Sequence, residues 1–68
     1  MTLDQAIQDM LKNSIDSDIE SLEWLARNER ADTIERYQST YGWTIADCNE
    51  FLDNAVLAYE LLVKDKAA

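Results

Sequence analysis

The sequence predicts an all-α fold, a small single-domain bundle of about four helices with a long C-terminal helix, over residues 1–68. Three observations lead to this prediction. The chain contains no proline and one glycine, Gly42, so few residues interrupt a helix. Four stretches place apolar residues three and four positions apart, which is the periodicity of one helix face. Each of these stretches follows a polar residue of a type that caps helix N-termini.

The first helix is expected to begin at Leu3 and to end near Asn13 and Ser14. Thr2, followed three residues later by Gln5, has the pattern of a capping box, in which each side chain binds the other residue's backbone N–H. The apolar face of this helix consists of Leu3, Ala6, Ile7, Met10 and Leu11.

A second capping pattern, Ser17 with Glu20, predicts that the next helix begins just after Ser17. Arg27 and Arg30 lie near the expected C-terminal end of this helix, where the helix dipole favours positive charge. Its buried face is predicted to consist of Ile19, Leu22, Leu25 and Ala26.

A third pattern, Asp32 with Glu35, marks the expected start of the third helix. Gly42 predicts its end, because a residue in left-handed backbone conformation often terminates a helix and glycine adopts that conformation without steric cost. The apolar face of this helix consists of Ile34, Tyr37 and Tyr41.

The last capping pattern, Thr44 with Asp47, predicts a helix over about residues 45–64. Its core face is predicted to consist of Ile45, Cys48, Leu52, Ala55, Val56, Tyr59, Leu62 and Val63. Four more apolar residues widen this arc, as is typical of a central helix: Phe51, Leu57, Ala58 and Leu61. The remaining residues, 64–68, are expected to form a frayed tail.

Charge and composition exclude most catalytic and metal chemistry. The chain carries 14 acidic and 6 basic side chains, no histidine and one cysteine, with a formal net charge of −8. A zinc site needs several cysteine or histidine ligands, and a nucleophilic cysteine needs a basic partner. Cys48 falls on the predicted core face, where free cysteine is common. We therefore expect no enzymatic activity, no metal and no cofactor.

The same features predict a cytoplasmic protein. A lone cysteine cannot form an internal disulfide, which fits a reducing compartment. No apolar run approaches the roughly 18 residues that span a bilayer. The first ten residues carry acids where a signal peptide has basic residues. Because the negative charge repels both anionic lipids and nucleic acid, we expect neither as a direct partner.

Asp16, Asp18 and Glu20 have the spacing of the first half of a calcium-binding loop. The rest of the loop does not fit. Ser21 stands where the loop needs glycine, and Arg27 stands where it needs a bidentate glutamate. We interpret the three acids through capping and through complementation of the dipole at the N-terminal end of the helix.

The turn before the last helix also suits a helix-turn-helix motif, but the charge of that helix does not. It offers Asp47, Glu50 and Asp53 and no basic residue before Lys64. A recognition helix needs lysine or arginine to contact DNA phosphates. Direct DNA binding is therefore not expected.

The same acidic triplet begins the predicted partner-binding surface. Its members are three residues apart and are expected to form a row along the solvent side of the helix, so the carboxylates rise by about 4.5 Å per step and can imitate spaced phosphates. Surface acids usually serve solubility alone, but a charge of −8 on 68 residues costs stability through self-repulsion. Residues 16–24 add four acids and a tryptophan, a residue type that often anchors interfaces. The complete predicted set is Asp47, Glu50, Asp53, Asp16, Asp18, Glu20, Glu23 and Trp24.

In size, charge and lack of an active site, the chain resembles phage-encoded DNA mimics, some anti-CRISPR proteins among them. The resemblance is one of general character and rests on no motif. It implies a non-enzymatic inhibitor that binds the basic nucleic-acid-binding surface of a partner protein.

An alternative comes from apolar residues that lie off the predicted core faces: Trp24, Trp43, Phe51, Leu57 and Leu61. These residues belong either to a wider core or to an interface. In the second case the protein is a helical adaptor or regulatory subunit. It then forms a homodimer or binds a partner helix through its last helix, and the acids supply only solubility.

Overall fold

Four α-helices make up the fold. The computed structural model describes residues 1–67, and their side chains as far as Asp65. The helices are α1 (Leu3–Asn13), α2 (Asp16–Asn28), α3 (Arg30–Tyr41) and α4 (Ile45–Ala67), and the described residues contain no strand. The three shorter helices all pack against α4, and α2 makes the most extensive contact. The predicted all-α bundle with a long C-terminal helix is confirmed.

Capping boxes define the starts of α1 and α4, as predicted. The Gln5 amide donates to Thr2 Oγ1, and the Thr2 amide donates to Gln5 Oε1, both at 3.2 Å. At α4 the Asp47 amide donates to Thr44 Oγ1 at 3.1 Å, and the Thr44 amide donates to Asp47 Oδ2 at 3.4 Å. Each box satisfies two backbone donors that the helix itself leaves unpaired.

The start predicted for α2 is wrong. Ser17 and Glu20 do not form its capping box, because α2 already begins at Asp16, after Ile15 and without a side-chain cap. The backbone carbonyl of Ile15 accepts from the Asp18 amide at 3.0 Å and so opens the helix. The carboxylates of Asp16 and Asp18 lie in the first turn, where they complement the helix dipole.

The start predicted for α3 is also wrong. α3 begins at Arg30 rather than after Asp32, and its N-cap residue Glu29 makes no side-chain cap. The predicted partner Glu35 therefore lies beyond the first turn. Only Glu29 separates α3 from α2, and the Arg30 Nε donates to the Ala26 carbonyl at 2.9 Å. This bond satisfies an acceptor that the end of α2 would otherwise leave unpaired.

Gly42 ends α3, as predicted. Its φ of 72° lies in the left-handed region, and its amide donates to the Gln38 carbonyl at 3.0 Å. A side chain at this φ would cost about 1–2 kcal/mol. The glycine therefore lets the chain reverse into α4 within three residues.

The core forms on one face of α4. Cys48, Leu52 and Ala55 are 0% exposed, and each lies on the face that the sequence predicted to be buried. The other buried apolar residues are Ala6, Met10, Ile19, Ala26, Trp43, Phe51 and Ala58. Trp43 and Phe51, two of the apolar residues that lie off the predicted core faces, thus belong to the core. For these two residues the core is wider than predicted.

Some residues predicted to be buried are exposed, and they lie at or near the ends of their helices. Ile45 and Val63, near the two ends of α4, are exposed. Leu11 near the end of α1 and Tyr41 at the end of α3 are exposed as well.

The frayed tail predicted for residues 64–68 is also wrong over most of its length, because α4 continues to Ala67. Its last member, Ala68, lies outside the described residues.

We predict that Leu52→Ala lowers the free energy of unfolding by about 2–5 kcal/mol, because it leaves a cavity at the centre of the core. Leu57→Ala, the control on the exposed side of the same helix, should change it by about 0.5 kcal/mol or less. Urea unfolding followed by circular dichroism measures both values. Equal losses in the two variants would contradict the assignment of the buried face.

Candidate protein-binding surface

Two arginines bring acids from α2 and α4 onto one surface. Arg27 forms an ion pair with Glu23 through its Nε and reaches Glu60 Oε1 with an Nη2 at 3.4 Å. Arg30 Nη1 lies 2.9 Å from Asp53 Oδ1. We call these five residues the acidic seam. Arg27 thereby makes Glu23 of α2 and Glu60 of α4 neighbours, whereas Arg30, the first residue of α3, holds Asp53 at the contact between α3 and α4.

The acids of the seam are held by the fold to different degrees. The Glu23 side chain is only 13% exposed, so its role is internal. The Asp53 side chain remains 64% exposed despite its ion pair. Exposed ion pairs of this kind contribute about 0–1 kcal/mol each. The seam therefore organises the surface more than it stabilises the fold.

The triplet predicted on α4 does not form a straight row to solvent. Successive members are three residues apart, and a helix turns once in 3.6 residues, so Asp47, Glu50 and Asp53 wind around the helix by about 120°. Asp47 is half-buried and caps α4, which removes it from the predicted binding set. Asp53 belongs to the seam. Glu50 is exposed and is the member best placed to meet a partner.

The four acids predicted to form the α2 part of the surface do not all lie on one side of the helix. Asp16, Glu20 and Glu23 are four and three residues apart, so they share one side of the helix. Asp18 lies about 160° around the helix from Glu20. It is exposed but does not join the other three. The α2 part of the surface therefore centres on Glu20, which is exposed beside the partly covered Glu23.

Trp24 is 52% exposed, as predicted for an interface aromatic. It follows Glu20 by four residues and precedes Arg27 by three, so both side chains flank it. Its carbonyl accepts from Asn28 Nδ2 at 3.0 Å, which ties the last turn of α2 together. An exposed indole between charged side chains is a typical interface anchor.

A second, apolar surface lies on α4. Leu57 and Leu61 are exposed and stand one helical turn apart. Leu61 also borders an open groove of about 210 Å³. The lining residues are Leu11, Ile19, Ala58, Leu61, Leu62 and Asp65. The sequence indicated that the two leucines lie off the core face, but it did not predict the exposure of Leu11. That exposure depends on how α1 packs against the other helices.

An aromatic cluster fills the opposite end of the core. Tyr41 and Trp43 stack with ring centroids 4.7 Å apart, and Phe51 lies 5.5 Å from Trp43. Tyr37 meets Trp43 edge-on at 5.8 Å. These rings line a cavity of about 130 Å³ together with residues of α1. The contacts of the aromatic cluster are those of a packed helix end. The sequence predicted its tyrosines only as part of the apolar face of α3.

Burial controls the chemistry of the single cysteine. It raises the pKa of the Cys48 thiol above its ordinary value of 9.0, and the adjacent Asp47 carboxylate raises the pKa further. The Cys48 Sγ donates to the Ile34 carbonyl at 3.7 Å. Burial also raises the pKa of Tyr37 above 10.0, with a smaller contribution from Tyr41. Both groups are therefore protonated at neutral pH and act as packing residues.

Neither the described side chains nor comparison with known proteins assigns this surface to a family. In the part of the chain that the structure describes, no group of three or more His, Cys, Asp or Glu residues could hold a metal ion. None of the described helices combines the length and apolar character needed to cross a membrane. No protein-family model, curated protein or solved structure matches the chain.

We predict that stability declines at alkaline pH. The unfolded chain ionises Cys48 and Tyr37 at their ordinary pKa values, whereas the folded chain ionises them only at higher pH. Stability is therefore fully present below about pH 8 and falls as the pH rises past about 9. Cys48→Ala should remove the earlier part of the decline and leave the part that Tyr37 causes. Urea unfolding at several pH values measures this, and an unchanged decline in Cys48→Ala would contradict it.

Proposed function

We propose that this protein is a small acidic inhibitor without catalytic activity that binds the basic nucleic-acid-binding surface of a partner protein. One observation carries the proposal: acids of α2 and α4 share the surface along the acidic seam, and the exposed Trp24 lies beside them. Such a surface offers negative charge for a basic groove and an aromatic anchor at its edge.

The charge balance supports a basic partner. Arg27 and Arg30 are already engaged within the seam. The formal net charge of −8 creates a field that attracts a groove lined with lysine and arginine. Within the described residues, Glu20 and Glu50 are exposed and make no ion pair or side-chain hydrogen bond. A partner can pair these two carboxylates without breaking a contact of the fold.

The finer form of the proposal is a DNA mimic of the kind that phages direct against host defence, as some anti-CRISPR proteins do. Its support is the combination of small size, a rigid helical body and a surface in which carboxylates are fixed by neighbouring helices. Cys48, the most nucleophilic residue type in the chain, is buried in the core, and the proposal assigns no reaction to it.

Charge reversal tests this proposal best at Glu20 and Glu50. Reversing Asp47 would remove the cap of α4, and reversing Asp53 would place a positive charge against Arg30. The double variant Glu20→Lys/Glu50→Lys avoids both effects. The matched control is Asp9→Lys/Glu35→Lys, because both acids are exposed, neither lies in the first turn of its helix, and the change in net charge is the same.

We predict that Glu20→Lys/Glu50→Lys weakens binding to the basic partner by at least about tenfold, because like charges then face each other. The control should weaken binding much less. The partner is first captured on the immobilised protein, and its affinity is then measured in competition with its own DNA or RNA. Binding by the parent protein should weaken steeply as salt rises. Equal losses in both variants, unchanged binding, or a partner with no basic surface would overturn the proposal.

A second candidate function is a helical adaptor or regulatory subunit. It is favoured by the exposure of Leu57 and Leu61 on α4, which the core leaves uncovered. Contact through these residues would bury apolar surface and would not weaken with salt. The salt dependence of partner binding therefore separates this candidate from the acidic inhibitor.

A further inference from the structure

Trp24 and Tyr41 are the exposed aromatic side chains in the part of the chain that the structure describes. Only Tyr41 is engaged by the fold. Its ring stacks on Trp43 with the ring centroids 4.7 Å apart. Trp24 makes no ring contact and no cation–π contact with any described residue. Its indole is therefore an aromatic surface that the fold leaves available to a ligand.

The turn of α2 before Trp24 places a carboxylate beside the indole. Helical side chains lean toward the N-terminus of their helix, so the indole lies next to the turn that carries Glu20 and Ser21. Glu20 is exposed, and within the described residues it makes no ion pair or side-chain hydrogen bond. Ser21 is exposed as well, and its side chain is too small to cover the ring. An aromatic ring and an available carboxylate thus stand side by side on one helix.

The nearest cation of the chain does not occupy this ring. Arg27 follows Trp24 by three residues, a spacing at which helical side chains meet. Glu23 and Glu60 hold its guanidinium instead. One positive charge between two carboxylates leaves this region negative, and Glu20 adds a further negative charge. The charge around the indole therefore favours a cation from another molecule.

From this arrangement we propose that Trp24 and Glu20 bind the guanidinium group of an arginine side chain of the basic partner. A guanidinium is planar and weakly hydrated, so it can stack on an indole while its N–H groups pair with a neighbouring carboxylate. A lysine ammonium is a strongly hydrated point charge and gains less from the ring. Trp24 is then the residue that distinguishes arginine from lysine. The site rests on the proposed function, since it specifies which side chain of the partner is recognised.

Two peptides of equal charge, hexaarginine and hexalysine, test the site on the full chain at about 0.15 M salt. We expect the parent protein to bind hexaarginine about tenfold more tightly, as measured by isothermal titration calorimetry. Trp24→Leu keeps the net charge and should lower this ratio by about threefold or more. Trp24→Phe keeps an aromatic ring and should retain part of the preference. Circular dichroism confirms that each variant is folded.

The carboxylate is tested with Glu20→Gln, which should weaken hexaarginine binding by about threefold or more. The matched control is Glu35→Gln, because it removes the same charge from an exposed glutamate on α3 and should have a smaller effect. The two tryptophans give separate indole N–H signals in a ¹H–¹⁵N spectrum, and Trp24→Leu assigns them. Hexaarginine should shift the signal of Trp24 and leave that of the buried Trp43 unchanged.

Four results would overturn the proposal: equal affinity of the parent protein for both peptides, an arginine preference that survives Trp24→Leu, equal effects of Glu20→Gln and Glu35→Gln, or an unshifted Trp24 signal. The proposed function has a separate test, because it fails if Glu20→Lys/Glu50→Lys leaves partner binding unchanged. Loss of the arginine preference while charge reversal still weakens partner binding would remove the arginine site alone.

Discussion

Packing of the three shorter helices on a single face of α4 is the constraint on which the structure depends. Cys48, Leu52 and Ala55 are fully buried along that face, and every other helix contributes to the contact. The same arrangement determines which side of α4 is exposed. Because α4 is buried on one side only, residues on its opposite side such as Leu57 and Leu61 remain exposed. The surface available for binding is thus a direct consequence of how the core is built.

Charge shapes the surface without holding the fold together. Exposed ion pairs contribute little, so Arg27 and Arg30 mainly determine which acids are neighbours. The chain has a formal charge of −8, and its stability rests on a small apolar core. Such a chain gains from contact with positive charge, because a basic partner relieves its self-repulsion. The acidic seam and the exposed leucines of α4 adjoin each other, because Asp53 and Leu57 stand one helical turn apart.

Local patterns in the sequence predicted the helices and those boundaries where a side chain forms a cap. Thr2, Thr44 and Gly42 act within one turn of themselves, so their roles could be predicted without tertiary information. The starts of α2 and α3 could not be predicted in this way, because no side chain caps them. The junction between the two helices depends instead on the bond from Arg30 to the Ala26 carbonyl. The candidate site was predicted only in part. The exposure of Trp24 follows from its place on a helix face, whereas the pairing of Asp53 with Arg30 requires two helices to be docked.

Amide hydrogen exchange of the native protein tests most directly whether α4 is the element that holds the bundle together. Amides of fully packed helices exchange only when the whole domain unfolds, whereas exposed or loosely packed segments open locally. We expect the slowest exchange in α4 between Cys48 and Ala58, at a free energy equal to that of global unfolding, and faster exchange in α1 and α3. Slowest exchange in α1 or α3, with α4 opening locally, would contradict a fold organised on one face of α4.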